Sequence, residues 1–135
     1  MQQTDADSVK VIIDTNALMV AEQFGVDIFG ELERLGYIEW LVPAQVKGEL
    51  SSLAVGADKG RDKMAARVAL GLLERCQVVG IDNCPADQAI LDLAEKEGAA
   101  VFTNDKALKK RLFSKGITVI YLRQGRYLEA MKKEY

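Results

Sequence analysis

Val9-Lys10-Val11-Ile12-Ile13-Asp14-Thr15-Asn16 is the stretch that decides the fold. Four β-branched residues in five positions favour a strand, and three polar residues then end the run. Because Val11, Ile12 and Ile13 are consecutive, both faces of that strand must be covered. The same unit recurs along the chain. Helix-periodic sequence fills 17–36, as two pieces meeting near Gly25, and Tyr37–Val42 reads as a second strand. Pro43 suits the first turn of a helix over 44–54. After a loop at 56–60, the spacing of Met64, Val68 and Leu72 predicts an amphipathic helix over about 61–76. Gln77–Ile81 is a third strand and Pro85–Glu97 a helix stopped by Gly98. Ala99–Thr103 is a fourth strand, followed by a helix to Lys115 stopped by Gly116, and Ile117–Tyr121 is a fifth. Solidly apolar strands alternating with helices predict a single three-layer α/β/α sandwich around a central parallel sheet. Residues 1–8 are expected to be a flexible N-terminus and 9–122 the domain. The basic tail 123–135, which receives no element, is expected to pack on the domain or extend it.

The chain has 135 residues, 49% hydrophobic and 28% charged, an ordinary balance for one globular domain. It contains no histidine, which excludes Ser-His-Asp and Cys-His catalysis, histidine relays and the usual zinc hydrolase sites. Two cysteines, Cys76 and Cys84, are too few for a zinc site and read as small buried apolar residues. Residues 1–8 lack the basic-then-apolar pattern of a signal peptide, and no apolar run nears the ~20 residues that span a bilayer. A soluble, cytoplasmic protein is the expectation. The net charge of −2 is unevenly spread: residues 1–105 carry 9 basic and 18 acidic side chains, residues 106–135 carry 9 and 2. An acidic whole therefore does not exclude a nucleic-acid partner, because local field governs phosphate binding.

In parallel sheets covered on both faces, sites form at the carboxyl ends of the strands. Asp14 ends the first strand, Glu49 lies in the helix after the second, Asp87 opens the helix after the third, and Asp105 opens the helix after the fourth. Singly, each could be a cap or a solvated charge. Together their register matters. Against the stripe Val46, Leu50 and Leu53, Glu49 sits three after Val46 and four before Leu53. Asp87 lies three and four before Ile90 and Leu91, and Asp105 three and seven before Leu108 and Leu112. Three helices are thus expected to aim partly buried acids toward Asp14. Converging carboxylates repel one another, and a divalent cation held by oxygen relieves that repulsion, which suits Mg²⁺ or Mn²⁺.

Ile12-Ile13-Asp14-Thr15-Asn16, Glu49, Asp87-x-Ala89-Ile90-Leu91 and Thr103-Asn104-Asp105 together resemble the PIN domain, a metal-dependent nuclease fold, over about Val9 to Leu122. Gly60-Arg61-x-Lys63, the segment Asp105–Arg111 and the ending Val119–Tyr127 resemble its pre-ribosomal-RNA processing branch. That branch's N-terminal cysteine-rich metal motif is lacking. The length equally suits the VapC-type toxins of toxin–antitoxin pairs. The resemblance implies an endoribonuclease in which Asp14, Glu49, Asp87 and Asp105 hold one or two Mg²⁺ or Mn²⁺ ions, leaving 5′-phosphate and 3′-hydroxyl ends. It also implies RNA as substrate, with a cognate antitoxin or a pre-ribosomal particle as partner, and allows a homodimer.

Around the acids, Thr15, Asn16, Thr103 and Asn104 are candidates to orient carboxylates or bind a metal's water, or simply turn and cap residues. For the RNA backbone the candidates are Lys106, Lys109, Lys110, Arg111 and Lys115, then Arg123 and Arg126. A second basic set is Lys59, Arg61, Lys63 and Arg67. Tyr121 and Tyr127 are candidates to stack on bases, though they, like Trp40, read first as packing residues. A response-regulator receiver is disfavoured because Asp14-Thr15-Asn16 lacks the paired acids and Leu122-Arg123-Gln124 the lysine. No phosphate-loop or dinucleotide fingerprint occurs. The alternative from another class is a non-catalytic RNA-binding or ribosome-assembly scaffold on the same fold.

Overall fold

The structure, a computed structural model, describes residues 9–56, 60–80 and 83–132, without the side chains of 60–62. Its elements are β1 (Lys10–Ile13), α1 (Thr15–Gln23), α2 (Ile28–Arg34), β2 (Glu39–Pro43), α3 (Ala44–Val55), α4 (Gly60–Leu72), β3 (Gln77–Val79), α5 (Ala86–Glu97), β4 (Ala100–Phe102), α6 (Lys106–Ser114), β5 (Val119–Arg123) and β6 (Tyr127–Met131). The six strands form one sheet in the order β3-β2-β1-β4-β5-β6. The first five run parallel and β6 returns antiparallel to β5, so the parallel sheet expected from sequence gains one reversed edge strand. Val11, Ile12 and Ile13 are fully buried at its centre, with Val42, Val101, Phe102, Val119 and Ile120. The strand order reverses between β1 and β4, the switch point at which open sheets of this type bind ligands.

Local chemistry explains the boundaries. Asp14 occupies the N-cap position of α1, and Asp105 caps α6 by accepting from the Leu108 amide at 2.9 Å. Gly98 ends α5 in the left-handed conformation that glycine enters without strain. Tail residues Tyr127–Met131 become β6 because the Arg123–Arg126 turn holds Gln124 and Gly125 at φ 56° and 65°, the primed geometry that matches strand twist.

Three expectations need correction. The helix expected over 61–76 is α-helical only to Leu72 and closes in a 3₁₀ turn, Leu73–Arg75. Its expected stripe also lies on the wrong side: Met64 and Val68 are 64% and 41% exposed, while Ala65, Ala66, Ala69 and Leu73 are buried. A helix packed against both α1 and α3 approaches closely only on small side chains, so alanine takes the inner face. The third strand, expected as Gln77–Ile81, ends at Val79 and is a largely exposed edge strand rather than one covered on both faces; Ile81 lies outside the described residues. The expected N-terminus 1–8 lies outside them as well. Cys76 and Cys84 are half-buried rather than buried, and burial pushes the Cys76 thiol up to about 11. Trp40 stacks on Phe29 with ring centroids 4.4 Å apart, and its Nε1–H donates to the Tyr37 carbonyl.

Candidate active site

Asp14 leaves β1 at the switch point and is only 7% exposed. Its carboxylate caps nothing, although the residue sits at a helix N-terminus. Across the gap, Thr103 follows β4 and is fully buried. The Thr103 hydroxyl accepts from the Asp105 amide at 3.1 Å and donates to Asp14 Oδ2 at 2.8 Å. Since the amide proton occupies one side of the hydroxyl, the hydroxyl's own proton must point at Asp14. One threonine thus ties the two acids across the strand reversal. Burial, reinforced by the negative charges of Asp87 and Glu49, raises the Asp14 carboxyl to about 6; the Thr103 hydrogen bond offsets part of this.

The other acids arrive from the helices. Glu49, on α3, accepts a 2.8 Å hydrogen bond from the Thr15 hydroxyl at the start of α1. Asp87 lies in the first turn of α5, where the helix dipole favours a negative charge. Asp14, Glu49, Asp87 and Asp105 line a single open cleft of about 570 Å³ with Thr15 and Asn16, and among the described residues no lysine or arginine lines it. Their burial differs from the expected pattern. Only Asp14 is buried; Asp105 is half-buried, and Glu49 and Asp87 are exposed. The stripe beneath Glu49 is Val46, Leu50 and Ala54, with Leu53 turned into the cleft instead.

The cleft also contains Met19, Ser52 and Leu53, which sequence reasoning missed. Helical spacing was the available signal, since Ser52 and Leu53 are three and four residues after Glu49 and Met19 is three after Asn16. Asn104 does not reach the cleft lining. Its side chain accepts from the Leu122 amide at 3.0 Å and donates to the Leu122 carbonyl at 3.3 Å, clamping the end of β5.

The four carboxylates of the cleft offer oxygen, the donor type that suits a hard divalent cation. Among the described residues, however, no three acids stand close enough together to hold one ion as the side chains lie. Glu49 and Asp87 are the exposed members of the set, and Glu49 is held by Thr15.

Of the basic candidates, Lys106, Lys109 and Lys110 share a second cleft beside α6. Arg111 donates to Gln88, Lys115 lies 3.6 Å from Glu95, and Arg123 pairs with Glu129. Lys63 and exposed Arg67 stand on α4, and Arg126 is exposed in the β5–β6 turn. Lys59 and the Arg61 side chain lie outside the described residues.

A family model described as "PIN like domain" matches residues 11–125. The chain belongs to the PIN-like family. Among curated relatives, this PIN-like chain is 38% identical over 115 residues to a protein of Archaeoglobus fulgidus named Ribonuclease VapC9, covering 85% of this chain and 84% of that protein. It is 35% identical over 124 residues to Ribonuclease VapC4 of Methanocaldococcus jannaschii, covering 89% and 95%. Among solved structures it is similar to the PIN domain endonuclease Utp24, with a TM-score of 0.77 at 25% identity over 93% of this chain and 96% of that one. The PIN-like match thus spans β1 to the turn after β5, and the structural likeness extends over 93% of the chain.

Proposed function

We propose that the protein is a metal-dependent endoribonuclease whose working cleft is the one lined by Asp14, Glu49, Asp87 and Asp105. One observation carries the reading: four acids from four separate segments open into one cleft at the strand reversal, with no lysine or arginine among its described lining residues to balance them. The two curated relatives named ribonucleases support RNA as the substrate. Mg²⁺ or Mn²⁺ held by these acids would supply a water acidic enough to ionise near neutral pH and a counter-charge for the leaving oxygen.

The chain's own groups prepare that chemistry. Thr103 orients Asp14 and braces the Asp105 backbone, while Thr15 steadies Glu49. Asp105 spends one oxygen on the α6 cap, which leaves the other turned to the cleft. Asn16, exposed at the rim, is a donor for a scissile phosphate or for water. The VapC names of the relatives favour a toxin's role, with a cognate antitoxin as partner, over ribosomal RNA processing.

End-labelled single-stranded and structured RNAs incubated with the pure protein in Mn²⁺, Mg²⁺ or EDTA test this reading. Cleavage is expected with metal, absent in EDTA, and reduced at least a hundredfold in Asp105→Asn. RNA bound but left intact in every metal would replace the enzyme with the scaffold reading. Cuts confined to ribosomal precursor sites would favour the processing role.

A further inference from the structure

The antiparallel return of β6 does more than lengthen the sheet. It carries the sheet beyond the reach of α6, which packs on β5, and so opens a groove of about 600 Å³ between that helix and the sheet edge. Lys106, Lys109, Lys110 and Phe113 lie at spacings that share one face of α6 and form one wall, and Met131 of β6 closes the other side. Among the described residues, no acid lines this groove. Glu129 of β6 is paired with Arg123 and accepts from the Tyr121 hydroxyl at 2.9 Å. Lys109 is held with its Nζ 5.3 Å from the Tyr121 ring centroid, a cation–π contact that keeps the amine on the groove side. Phe113 and Met131 are half-buried and give the groove an apolar floor.

We propose that this groove is a binding site for a single RNA strand, with phosphates on the three lysines and an unstacked base on Phe113 and Met131. Two features select that occupant. The groove's charged lining among the described residues is three lysines, which suits a polyanion. It also begins where the acid cleft ends along the chain: Asp105, the N-cap of α6, lines the cleft, and Lys106, the first residue of α6, lines the groove. Duplex bases are stacked and paired, so their faces cannot reach an apolar floor, whereas bases of a single strand can. The inference rests on the ribonuclease reading of the cleft and adds to it the strand's path: RNA leaving the acids turns along α6 toward the end of β6. Strands too short to reach Met131 lose this affinity.

The test is fluorescence anisotropy in EDTA, where the strand stays whole, with a labelled single-stranded 12-mer and its duplex. Lys109→Ala/Lys110→Ala is expected to raise Kd for the single strand about tenfold. It should also reduce the slope of log K against log salt by about 1.4, at roughly 0.7 for each phosphate that a lysine no longer neutralises. Met131→Ser is expected to raise Kd severalfold with the salt slope unchanged, because it removes floor and not charge. With Mn²⁺, the lysine variant should lose kcat/KM on the 12-mer through a higher KM. An unchanged Kd and slope in the lysine variant overturns the proposal. So does duplex bound as tightly as single strand, or equal displacement of the strand by an oligoglutamate of matched charge. Absence of cleavage with binding still lysine-dependent would count against the ribonuclease reading alone. Thermal melting of each variant checks that it is folded.

Discussion

A buried carboxylate such as Asp14 is costly, and its cost has a definite pH signature. Its ordinary value is 3.8 and burial, foremost, raises it to about 6 in the folded chain. Between those values the folded protein holds a proton that the unfolded chain has released. The metal-free protein therefore has this residue's full stability below about 3.8 and loses it as pH rises through 6. Asp14→Asn removes the cost while keeping an oxygen for the Thr103 hydroxyl. In EDTA at pH 7.5 that variant should melt higher, by on the order of 2 kcal/mol, and should no longer cleave RNA. A lower melting temperature would mean that the carboxylate serves the fold rather than the cleft. Divalent-ion affinity measured by calorimetry should weaken as pH falls below about 6, because the ion must displace the proton. Thr103→Val removes the donor to Asp14 and the acceptor for the Asp105 amide together. It should cost about 1–3 kcal/mol and move the acid limb of the activity profile to higher pH; a profile left in place would separate Thr103 from Asp14's titration.

Among the elements, α4 offers the sharpest test of what packing requires. Its buried face is Ala65, Ala66, Ala69 and Leu73, while Met64 faces solvent. Ala69→Leu should therefore destabilise by about 1–3 kcal/mol through overpacking, whereas Met64→Ser should shift stability by less than about 0.5 kcal/mol. Denaturant midpoints of the two variants measure the difference, and a larger loss from Met64→Ser would restore the larger side chains to the core. The sequence misleads here because apolar periodicity ranks Met and Val above Ala, while close helix approach selects for smallness. Elsewhere local signals and tertiary needs agree. The β-branched run Val11-Ile12-Ile13 must be central because nothing polar interrupts it, and Gly98 and Gly116 stop helices where only their backbone fits. The four acids could be placed at strand ends from spacing alone. Their exposure could not, since it depends on how far α3 and α5 stand from β1. Asn104 was indistinguishable from its neighbours because its partner, the Leu122 backbone, is 18 residues away. The strand β6 stayed hidden because Tyr127-Leu128-Glu129-Ala130-Met131 is short and mixed. Its turn, Gln124-Gly125, carried the readable clue.

Across the whole molecule the sheet has two edges, finished in different ways. The β3 edge is short, at three residues, and shortness itself limits pairing with other chains. The β6 edge is longer and is closed by side chains. Glu31 of α2 accepts the Leu128 amide at 2.9 Å, and Arg34 donates to the Leu128 carbonyl at 2.7 Å, so an ion pair one helical turn apart stands in for a missing strand. The turn leading to β6 is pinned from the same side: a Cβ on Gly125 would meet the Phe24 ring at 2.7 Å. These interactions join residues nearly a hundred positions apart and fix the wall of the lysine groove. Arg34, and after it the Leu128 amide, holds the Glu31 carboxyl below its ordinary value of 4.5. The tie is therefore complete above that pH and fades only as pH falls through the lowered value. Glu31→Ala should leave the Leu128 amide without its acceptor and Arg34 without its partner, lowering stability by roughly 1–3 kcal/mol at neutral pH. Hydrogen exchange should quicken at Leu128 and Ala130 while the amides of β1 and β4 stay protected. Equal acceleration at β1 would mean that the edge and the core open together, making the β5–β6 end part of the same cooperative unit as the acid cleft.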